Sequence, residues 1–436
     1  MLKITCEGVY YKNGGFVPAK DGPAAGLPAP EKAREGTMAH AILKAHNTGD
    51  NMEELAIRFD AMASHDITYV GIIQTARASG MQAFPLPYVL TNCHNSLCAV
   101  GGTINEDDHV FGLSAAKKYG GEFVPAHQSV IHSYMRERYA APGRMILGSD
   151  SHTRYGAYGT MAIGEGGPEL ARQLLSKTYN IPYPKVIAIY LTGTPIPGVG
   201  PQDVALELIR STFKDGVVKN AVMEFFGPGV ANLSMDYRSG IDVMTTETTC
   251  LSSIWPADHT LKAHLAVLGR GEAFKPQAPA DGAYYDGLIE VELDKIRPMI
   301  ALPFHPSNAY TIQEFQENLD ELLHQVDEDT VRQLKLKNRP ASLREKIVDG
   351  KFRVDQGVIA GCSGGTYQNI VRAAQILDGR AIGSGEFWLS VYPTSQPVNL
   401  ELTRRGYIAS LMAAGASIRS CFCGPCFGAG DVPANG

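Results

Sequence analysis

The chain has 436 residues and a formal net charge of -6, so it is long enough for two to four domains and has no electrostatic basis for binding nucleic acid. Every apolar run is interrupted before it reaches the roughly 18 residues that a membrane helix needs, and we expect no membrane span. The N-terminus is not typical of a signal peptide. Eight cysteines in such a chain are typical of reduced thiols and metal ligands, and favour a cytoplasmic location.

Hydrophobic periodicity alternates between helix-like and strand-like along the first half of the chain. Strands that alternate with helices favour an α/β fold with doubly wound parallel sheets, whose ligands bind beyond the carboxyl ends of the strands. The predicted elements are helices at 37–48, 53–64 and 202–213, a glycine loop followed by a helix within 165–178, and strands at 88–90 and 185–191.

Two segments are candidate domain boundaries. Residues 193–198 contain two prolines and are predicted to be a hinge, and a charged helix over 312–337 is predicted to be a connector. These boundaries give three α/β domains, at 1–198, 199–310 and 311–436. The third is predicted to contain a strand at 354–360, a helix at 367–377, a strand at 387–392 and a helix that ends near residue 414.

Two glycine-rich segments about sixty residues apart carry three cysteines. Cys362 lies in Gly-Cys-Ser-Gly-Gly-Thr, and Cys423 and Cys426 form Cys-Gly-Pro-Cys. Cys362 is predicted to lie between a strand and a helix, where glycines and free backbone N–H groups suit an anionic cluster. A closed zinc site or a fully ligated four-iron cluster needs four protein ligands, so three thiolates indicate an iron–sulfur cluster with one iron open to substrate.

Other interpretations of these cysteines stay open. Cys-x-x-Cys is also the redox dithiol of thioredoxin-like proteins, although the residues after Cys426 have no helical period and many helix breakers. Cys421 offers a fourth thiolate for a structural zinc site. Cys362 by itself is also compatible with an ordinary strand-to-helix turn that buries a thiol.

Asp150, Ser151 and His152 place an acid, a hydroxyl and an imidazole at consecutive positions after an apolar segment. At a strand end, such a trio can orient a polycarboxylate and transfer protons. An isolated Asp-Ser-His is otherwise typical of a turn with a helix N-cap. His132, between apolar neighbours, is by itself typical of a histidine in the core.

Together these motifs resemble the aconitase superfamily, which includes isopropylmalate isomerase and homoaconitase. That family carries a Ser/Thr-Asp-Ser-His-Thr signature before a glycine-rich stretch, a cysteine in a Ser-Cys-Thr-Asn-type loop and a distal Cys-Gly-Pro-Cys, and all three occur here in the family's order. The resemblance implies an aconitase-like fold, with three α/β domains around an iron–sulfur site. It also implies a [4Fe-4S] cluster with one open iron, held by Cys362, Cys423 and Cys426.

The resemblance also implies roles for polar residues. Asp150, His152, His132 and Glu247 stand where the family has catalytic residues, and Ser151 stands at a substrate-binding position. The implied reaction is dehydration and hydration of a hydroxy di- or tricarboxylic acid at the open iron. A base removes a proton from carbon and an acid protonates the departing hydroxide.

Several positions depart from the family's pattern. Where the family has an Asp-His pair after a cysteine, this chain has His94 and Asn95, which makes His94 the candidate acid and Asn95 a candidate substrate ligand. The asparagine expected four residues before Glu247 is Val243, and the asparagine of the first cysteine loop is Gly364. The family's substrate-binding glutamine has no evident counterpart.

Family members continue past Cys-Gly-Pro-Cys into a swivelling domain, sometimes a separate subunit, that supplies the serine base and substrate-binding arginines. This sequence ends ten residues after Cys426. We therefore expect the swivelling domain to come in cis from a longer protein or in trans from a partner, and this chain alone to bind the cluster without turnover. The alternative function is a catalytically silent, cluster-binding sensor or regulator of the same family, which the missing Asp-His pair favours. A structural-metal or redox-thiol protein is the third interpretation.

Overall fold

The computed structural model describes residues 2–94, 101–337, 342–383 and 385–433. Its strands are β1 (Leu2–Thr5), β2 (Val9–Lys12), β3 (Gly15–Pro18), β4 (Glu54–Ile57), β5 (Ala61–His65), β6 (Tyr88–Thr91), β7 (Glu122–Val124), β8 (Met145–Gly148), β9 (Met161–Gly164), β10 (Tyr179–Pro182), β11 (Val186–Thr192), β12 (Val222–Phe226), β13 (Ser252–Ile254), β14 (Tyr284–Tyr285), β15 (Gly287–Glu292), β16 (Met299–Ala301), β17 (Ala309–Thr311), β18 (Ile347–Val348), β19 (Lys351–Phe352), β20 (Gln356–Ile359), β21 (Trp388–Val391) and β22 (Ser417–Ile418).

The α-helices lie between these strands and continue through the C-terminal part of the chain. They are α1 (Pro30–Ala33), α2 (Met38–His46), α3 (Tyr69–Ala78), α4 (Thr103–Tyr119), α5 (Ile131–Arg138), α6 (Gly167–Leu174), α7 (Pro201–Thr212), α8 (Met235–Met244), α9 (His259–Val267), α10 (Ile312–Glu317), α11 (Leu319–Leu334), α12 (Gly361–Gly364), α13 (Tyr367–Leu377), α14 (Gln396–Arg404) and α15 (Tyr407–Ala413). Within the described ranges, none of these helices combines the length and hydropathy needed to cross a bilayer.

The first five-stranded sheet is parallel throughout, in the order β7-β6-β5-β8-β9. Every residue of β5, β6 and β8 is buried, as expected for parallel strands with both faces covered. Neighbouring parallel strands end at the same edge of a sheet, so the residues at their carboxyl ends come together. His65 ends β5, His94 follows β6 and Asp150 follows β8. This edge forms one wall of the candidate site.

The second five-stranded sheet has the order β1-β15-β11-β12-β13, and β1 is its antiparallel edge strand. The boundary predicted at residue 198 lies in the connection between β11 and β12, which pair with each other. Strands from both sides of that boundary therefore share one sheet, and the three-domain division stays a prediction. One hydrophobic core joins residues of both large sheets and also includes Cys362 and Cys423.

A third, smaller sheet, β20-β21-β22, is parallel and has its own apolar core with α13, α14 and α15. The short helix α12 begins directly after β20 and carries Cys362. It packs against α8, the helix that precedes Glu247. The remaining strands form the small sheets β14-β2-β3, β10-β4, β16-β17 and β18-β19.

Most of the predicted elements are confirmed, including the strands at 88–90 and 185–191 and the helix at 367–377. The prediction of a helix at 53–64 was wrong. These residues form β4 and the start of β5, because Leu55 and Ile57 alternate with less buried neighbours and pair with β10. The helix predicted at 312–337 is two helices, α10 and α11, because the backbone at Asn318 leaves the helical conformation with a φ of -123°.

A buried ion pair fixes α8 relative to α9. The fully buried Arg238 guanidinium donates to the two carboxylate oxygens of Asp258 at 2.9 and 2.6 Å, and also to the carbonyls of Leu233 and Val230. Asp258 also accepts the N–H of Leu261 at 3.1 Å and so caps α9. Removing one partner would leave an uncompensated buried charge.

Asp258→Ala is expected to lower the free energy of unfolding by about 3 kcal/mol, because Arg238 would stay buried without its counter-charge. Urea denaturation followed by circular dichroism measures this loss. Glu290→Ala is the matched control, since Glu290 pairs with the exposed Lys3 at 3.0 Å and is expected to cost less than about 1 kcal/mol. Equal losses in the two variants would contradict the role given to the buried pair.

Candidate active site

The Asp150 carboxylate lies at the centre of a group of histidines. Its Oδ1 is 3.1 Å from His132 Nε2 and accepts the His152 backbone N–H at 2.7 Å, and its Oδ2 is 2.9 Å from His94 Nε2. Burial alone would raise the pKa of Asp150, but His132 and the hydrogen bonds from the three histidines hold that pKa far below its usual range. The carboxylate is therefore ionised at physiological pH.

His132 lies in α5, and its burial and its contact with Tyr155 orient its ring towards Asp150. Its side chain is buried, and its Nδ1 lies 3.2 Å from the Tyr155 hydroxyl. Burial lowers the pKa of His132 to about 4, so the imidazole is neutral near pH 7. A neutral ring that accepts from Tyr155 at Nδ1 carries its proton on Nε2, where it donates to Asp150.

His152 and Glu247 form a second imidazole–carboxylate pair. His152 Nε2 lies 3.0 Å from Glu247 Oε1, and Ser151 Oγ lies 3.3 Å from His152 Nδ1. Burial would lower the pKa of His152, but hydrogen bonds to Asp150 and Glu247 raise it to about 9. The bond from His152 in turn lowers the pKa of Glu247. Near pH 7, His152 is thus a protonated imidazole able to donate a proton.

The cysteines of the two motifs face the same cavity as these histidines. The cavity has a volume of about 530 Å³. Cys362 reaches it from α12, Cys426 from the tight turn at Gly424–Phe427, and Cys423 from the position directly before that turn. Its polar and thiol-bearing lining is His132, Asp150, His152, Gln202, Ser363, Asn369, Cys362, Cys423 and Cys426.

The three thiols do not form a preassembled site for a single ion. With Zn–S bonds of about 2.3 Å, thiolates on a single zinc ion lie within about 4 Å of one another. Among the described residues, the groups whose ligand atoms all lie within 4.8 Å do not include the cysteine trio. Gly361 has a φ of +77°, and a Cβ added there would lie 2.5 Å from the Cys426 sulfur, so glycine is needed to keep this side of the site open.

The three thiols differ in acidity. Burial raises the pKa of Cys362 to about 12, although the adjacent Arg136 acts in the opposite direction. The Arg136 guanidinium is buried and donates to the Cys362 carbonyl at 3.2 Å. The hydrogen bond with Cys423 lowers the pKa of Cys426 to about 7, and the same contact raises the pKa of Cys423. Cys426 is therefore the thiol most readily present as a thiolate.

The structure brings together every predicted site residue that it describes, while Asn95 lies outside the described residues. Their roles in binding and catalysis stay predictions. The residues gathered around the cavity or in direct contact with its lining are His94, His132, Asp150, Ser151, His152, Glu247, Cys362, Cys423 and Cys426.

The sequence analysis missed His65. Its ring stacks on His94 with centroids 4.0 Å apart, and its Nε2 lies 3.8 Å from Asp150 Oδ2. Burial, reinforced by His94, lowers the pKa of His65 to about 3, so the ring is neutral. His65 could have been found as the polar residue that ends a buried strand, but the sequence analysis had predicted a helix over 53–64.

Sequence comparison agrees with this geometry. The family model described as the aconitase family (aconitate hydratase) matches residues 40–436. The chain belongs to the aconitase family. A mitochondrial aconitate hydratase of Schizosaccharomyces pombe is 30% identical over 395 residues, which are 86% of this chain and 46% of that protein. A mitochondrial aconitate hydratase of Gracilaria gracilis is 30% identical over 344 residues, which are 76% of this chain and 40% of that protein.

Another aconitase relative is a fusion protein. The aconitase–ribosomal protein bL21m fusion of Schizosaccharomyces pombe is 29% identical over 339 residues, which are 74% of this chain and 34% of the fusion. The chain spans about half the length of the curated relatives it matches, or less. Aconitases bind a [4Fe-4S] cluster, and three thiols on one cavity and the glycine at position 361 fit such a group in this member of the family.

In the cluster-free protein, iodoacetamide is expected to alkylate Cys426 faster than Cys362, because Cys426 is exposed and has the lower pKa. Raising the pH from about 6 to about 8 should speed the reaction at Cys426 about tenfold, since the thiolate fraction rises through a pKa of about 7. Peptide mass spectrometry measures both rates, with the exposed Cys6 as the internal reference for access. Equal rates at Cys426 and Cys362 would contradict this assignment.

Proposed function

We propose that this chain is the cluster-bearing part of an aconitase-type hydro-lyase that acts on a hydroxy di- or tricarboxylic acid. One observation supports the proposal most: three thiols and the histidines of two imidazole–carboxylate pairs face one cavity. A structural metal site does not require proton-transfer groups beside its ligands. A hydratase requires both metal ligands and proton-transfer groups.

The proposed cofactor is a [4Fe-4S] cluster held by Cys362, Cys423 and Cys426, with one iron left without a protein ligand. When bound, this cluster supplies a Lewis acid that polarises a substrate hydroxyl. The family membership, the three thiols on one cavity and the missing side chain at Gly361 support this choice.

The histidines supply the proton chemistry in this proposal. His152 is protonated near pH 7 and faces the cavity, so it donates a proton to a departing hydroxide or pairs with a substrate carboxylate. Asp150 remains ionised and fixes the orientation of His132 and His94 through Nε2 of each ring. Glu247 holds the proton of His152 on Nε2, and Ser151 lies beside the other ring nitrogen.

The cavity supports a small polycarboxylate as the substrate. Its volume of about 530 Å³ lies within the range of small-molecule sites. The protonated His152 supplies a positive charge, and the amides of Gln202 and Asn369 add hydrogen-bond donors near Ser363. Such groups recognise carboxylates and hydroxyls.

The proposal includes a swivelling domain, supplied in cis by a longer protein or in trans by a partner subunit. It is supported by the family's organisation and by the share of each relative that this chain covers, 46% for one aconitate hydratase and 40% for the other. A cytoplasmic location also remains our proposal from the cysteine content, although these two relatives are described as mitochondrial.

A catalytically silent sensor that binds the cluster is the second candidate function. It is favoured by His94 and Asn95, which stand where the family pattern has an Asp-His pair, and by Val243, which stands in place of an asparagine. These substitutions change groups that handle substrate and leave the three thiols unchanged.

Anaerobic reconstitution is expected to give about four irons and four acid-labile sulfides per chain, with a three-iron EPR signal after mild oxidation, because the open iron leaves first. Cys362→Ser is expected to lose most of this iron. Cys421→Ser is the matched control, a buried thiol in the distal segment that should keep the full iron content. Bound zinc that depends on Cys421 would instead favour the structural-metal interpretation.

Aconitate added to the reconstituted chain is expected to shift the EPR signal of the reduced cluster. His152→Gln should keep the iron content and weaken the apparent aconitate affinity about tenfold or more, because a charged hydrogen bond is lost. His264→Gln, which loses only a 2.8 Å contact with the Tyr158 hydroxyl outside this cavity, should behave like the unchanged protein. A full cluster that no hydroxy acid in a panel perturbs would favour the silent sensor.

A further inference from the structure

A group of possible metal ligands outside the cysteine motifs lies at the carboxyl edge of the first sheet. His65, His94 and Asp150 each offer one ligand atom, and the three atoms lie within 4.8 Å of one another. They come from the ends of three adjacent parallel strands, β5, β6 and β8, so the sheet itself sets their spacing. We propose that these three residues bind a divalent transition-metal ion without using the cluster cysteines. The proposed hydro-lyase function also uses His94 and Asp150, so metal binding is tested in the cluster-free protein.

The buried ring of His65 has a nitrogen without a hydrogen-bond partner in the described part of the chain. It is buried, with a relative exposure of 6%, and its Nδ1 has no hydrogen-bond partner among the residues that the structure describes. Its Nε2 lies 3.8 Å from Asp150 Oδ2, which is beyond hydrogen-bond distance. Burying Nδ1 without a hydrogen-bond partner is unfavourable, and a metal ion would use the lone pair of one ring nitrogen.

The second imidazole is directed at the same carboxylate oxygen. His94 Nε2 lies 2.9 Å from Asp150 Oδ2, and its ring is stacked between His65 and Phe427. Two neighbouring imidazoles that converge on one carboxylate oxygen form only one hydrogen bond there. An ion between the three groups would coordinate all of them.

The surroundings hold the ligands in place, as metal sites require. The backbone N–H of His94 donates to Asp66 at 2.9 Å, and its Nδ1 lies 3.3 Å from the Cys93 sulfur. The other oxygen of Asp150 is fixed by His132 and by the backbone of His152. His94 and Asp150 are thus oriented before any ion arrives, and the His65 ring is held against them by its stack on His94.

The chemistry of the ligands selects the class of ion. Two imidazoles and one carboxylate suit Fe²⁺, Mn²⁺, Co²⁺ or Zn²⁺ and leave positions open for a further ligand. This set differs from the cysteine trio, which is all sulfur. The two sites are therefore distinguishable by the spectrum of a bound probe ion.

Co²⁺ is the probe for the test, and the sample is the cluster-free protein with Cys362, Cys423 and Cys426 replaced by serine. One Co²⁺ per chain is expected, with weak visible ligand-field bands and no thiolate charge-transfer band. His65→Gln and His94→Gln in this background should each weaken binding by more than the roughly 10–100-fold that loss of an outer partner costs. His46→Gln is the matched control, since His46 forms a 2.9 Å imidazole–carboxylate pair with Asp60 outside the site.

The outcomes separate this site from the cluster. Co²⁺ binding that survives the three serine substitutions and is lost only with His65 or His94 supports the proposal, whether or not a cluster can be built in the unchanged protein. No binding by the serine variant, or equal binding by the His65→Gln and His46→Gln variants, overturns it. If circular dichroism shows that the serine variant is unfolded, Co²⁺ binding is measured in the cluster-free protein with its cysteines intact. In that protein, the His65→Gln substitution is expected to remove the ligand-field bands of the proposed site and to leave the thiolate charge-transfer band. A spectrum that the substitution leaves unchanged would overturn the proposal.

Discussion

The ionised carboxylate of Asp150, buried at the edge of a parallel sheet, is the constraint on which the site depends. A buried charge is tolerated only when it is paired and hydrogen-bonded. The partners come from separate elements: His132 from α5, His94 from the end of β6 and the backbone of His152 from the same loop as Asp150. Because each partner satisfies the carboxylate, the carboxylate in turn fixes the position of each ring.

The cysteine half of the site is attached to this sheet by backbone hydrogen bonds. The N–H of Cys423 donates to the carbonyl of Cys93 at 2.8 Å, next to His94, and the N–H of Val130 donates to the carbonyl of Thr394 at 3.0 Å. Such bonds cannot form at another register without leaving buried backbone groups unpaired. The thiols and the histidines therefore meet as one site although they are far apart in the chain.

The departures from the family's pattern also have a physical consequence at this edge. The imidazole at position 94 places its Nε2 2.9 Å from Asp150 Oδ2 and stabilises the carboxylate. A carboxylate at that distance would repel Asp150 and raise the pKa of one of the two acids. The site thus combines three thiols and two imidazole–carboxylate pairs with a histidine at this strand end. Membership of the aconitase family is compatible with a departure from the family's pattern at position 94.

The sequence by itself determined the family, the three thiols and most of the helices and strands, because glycine-flanked cysteines, the Asp-Ser-His motif and hydrophobic periodicity are local patterns. It also named Asp150 and His152 from the Asp-Ser-His motif, and Glu247 from its position relative to the family's pattern. Only the tertiary structure decided that His65 belongs to the site, because its position depends on β5 pairing in parallel with β6 and β8. The protonation of His152 and the neutrality of His132 were likewise decided by burial and by neighbours brought from distant segments, which no local pattern records.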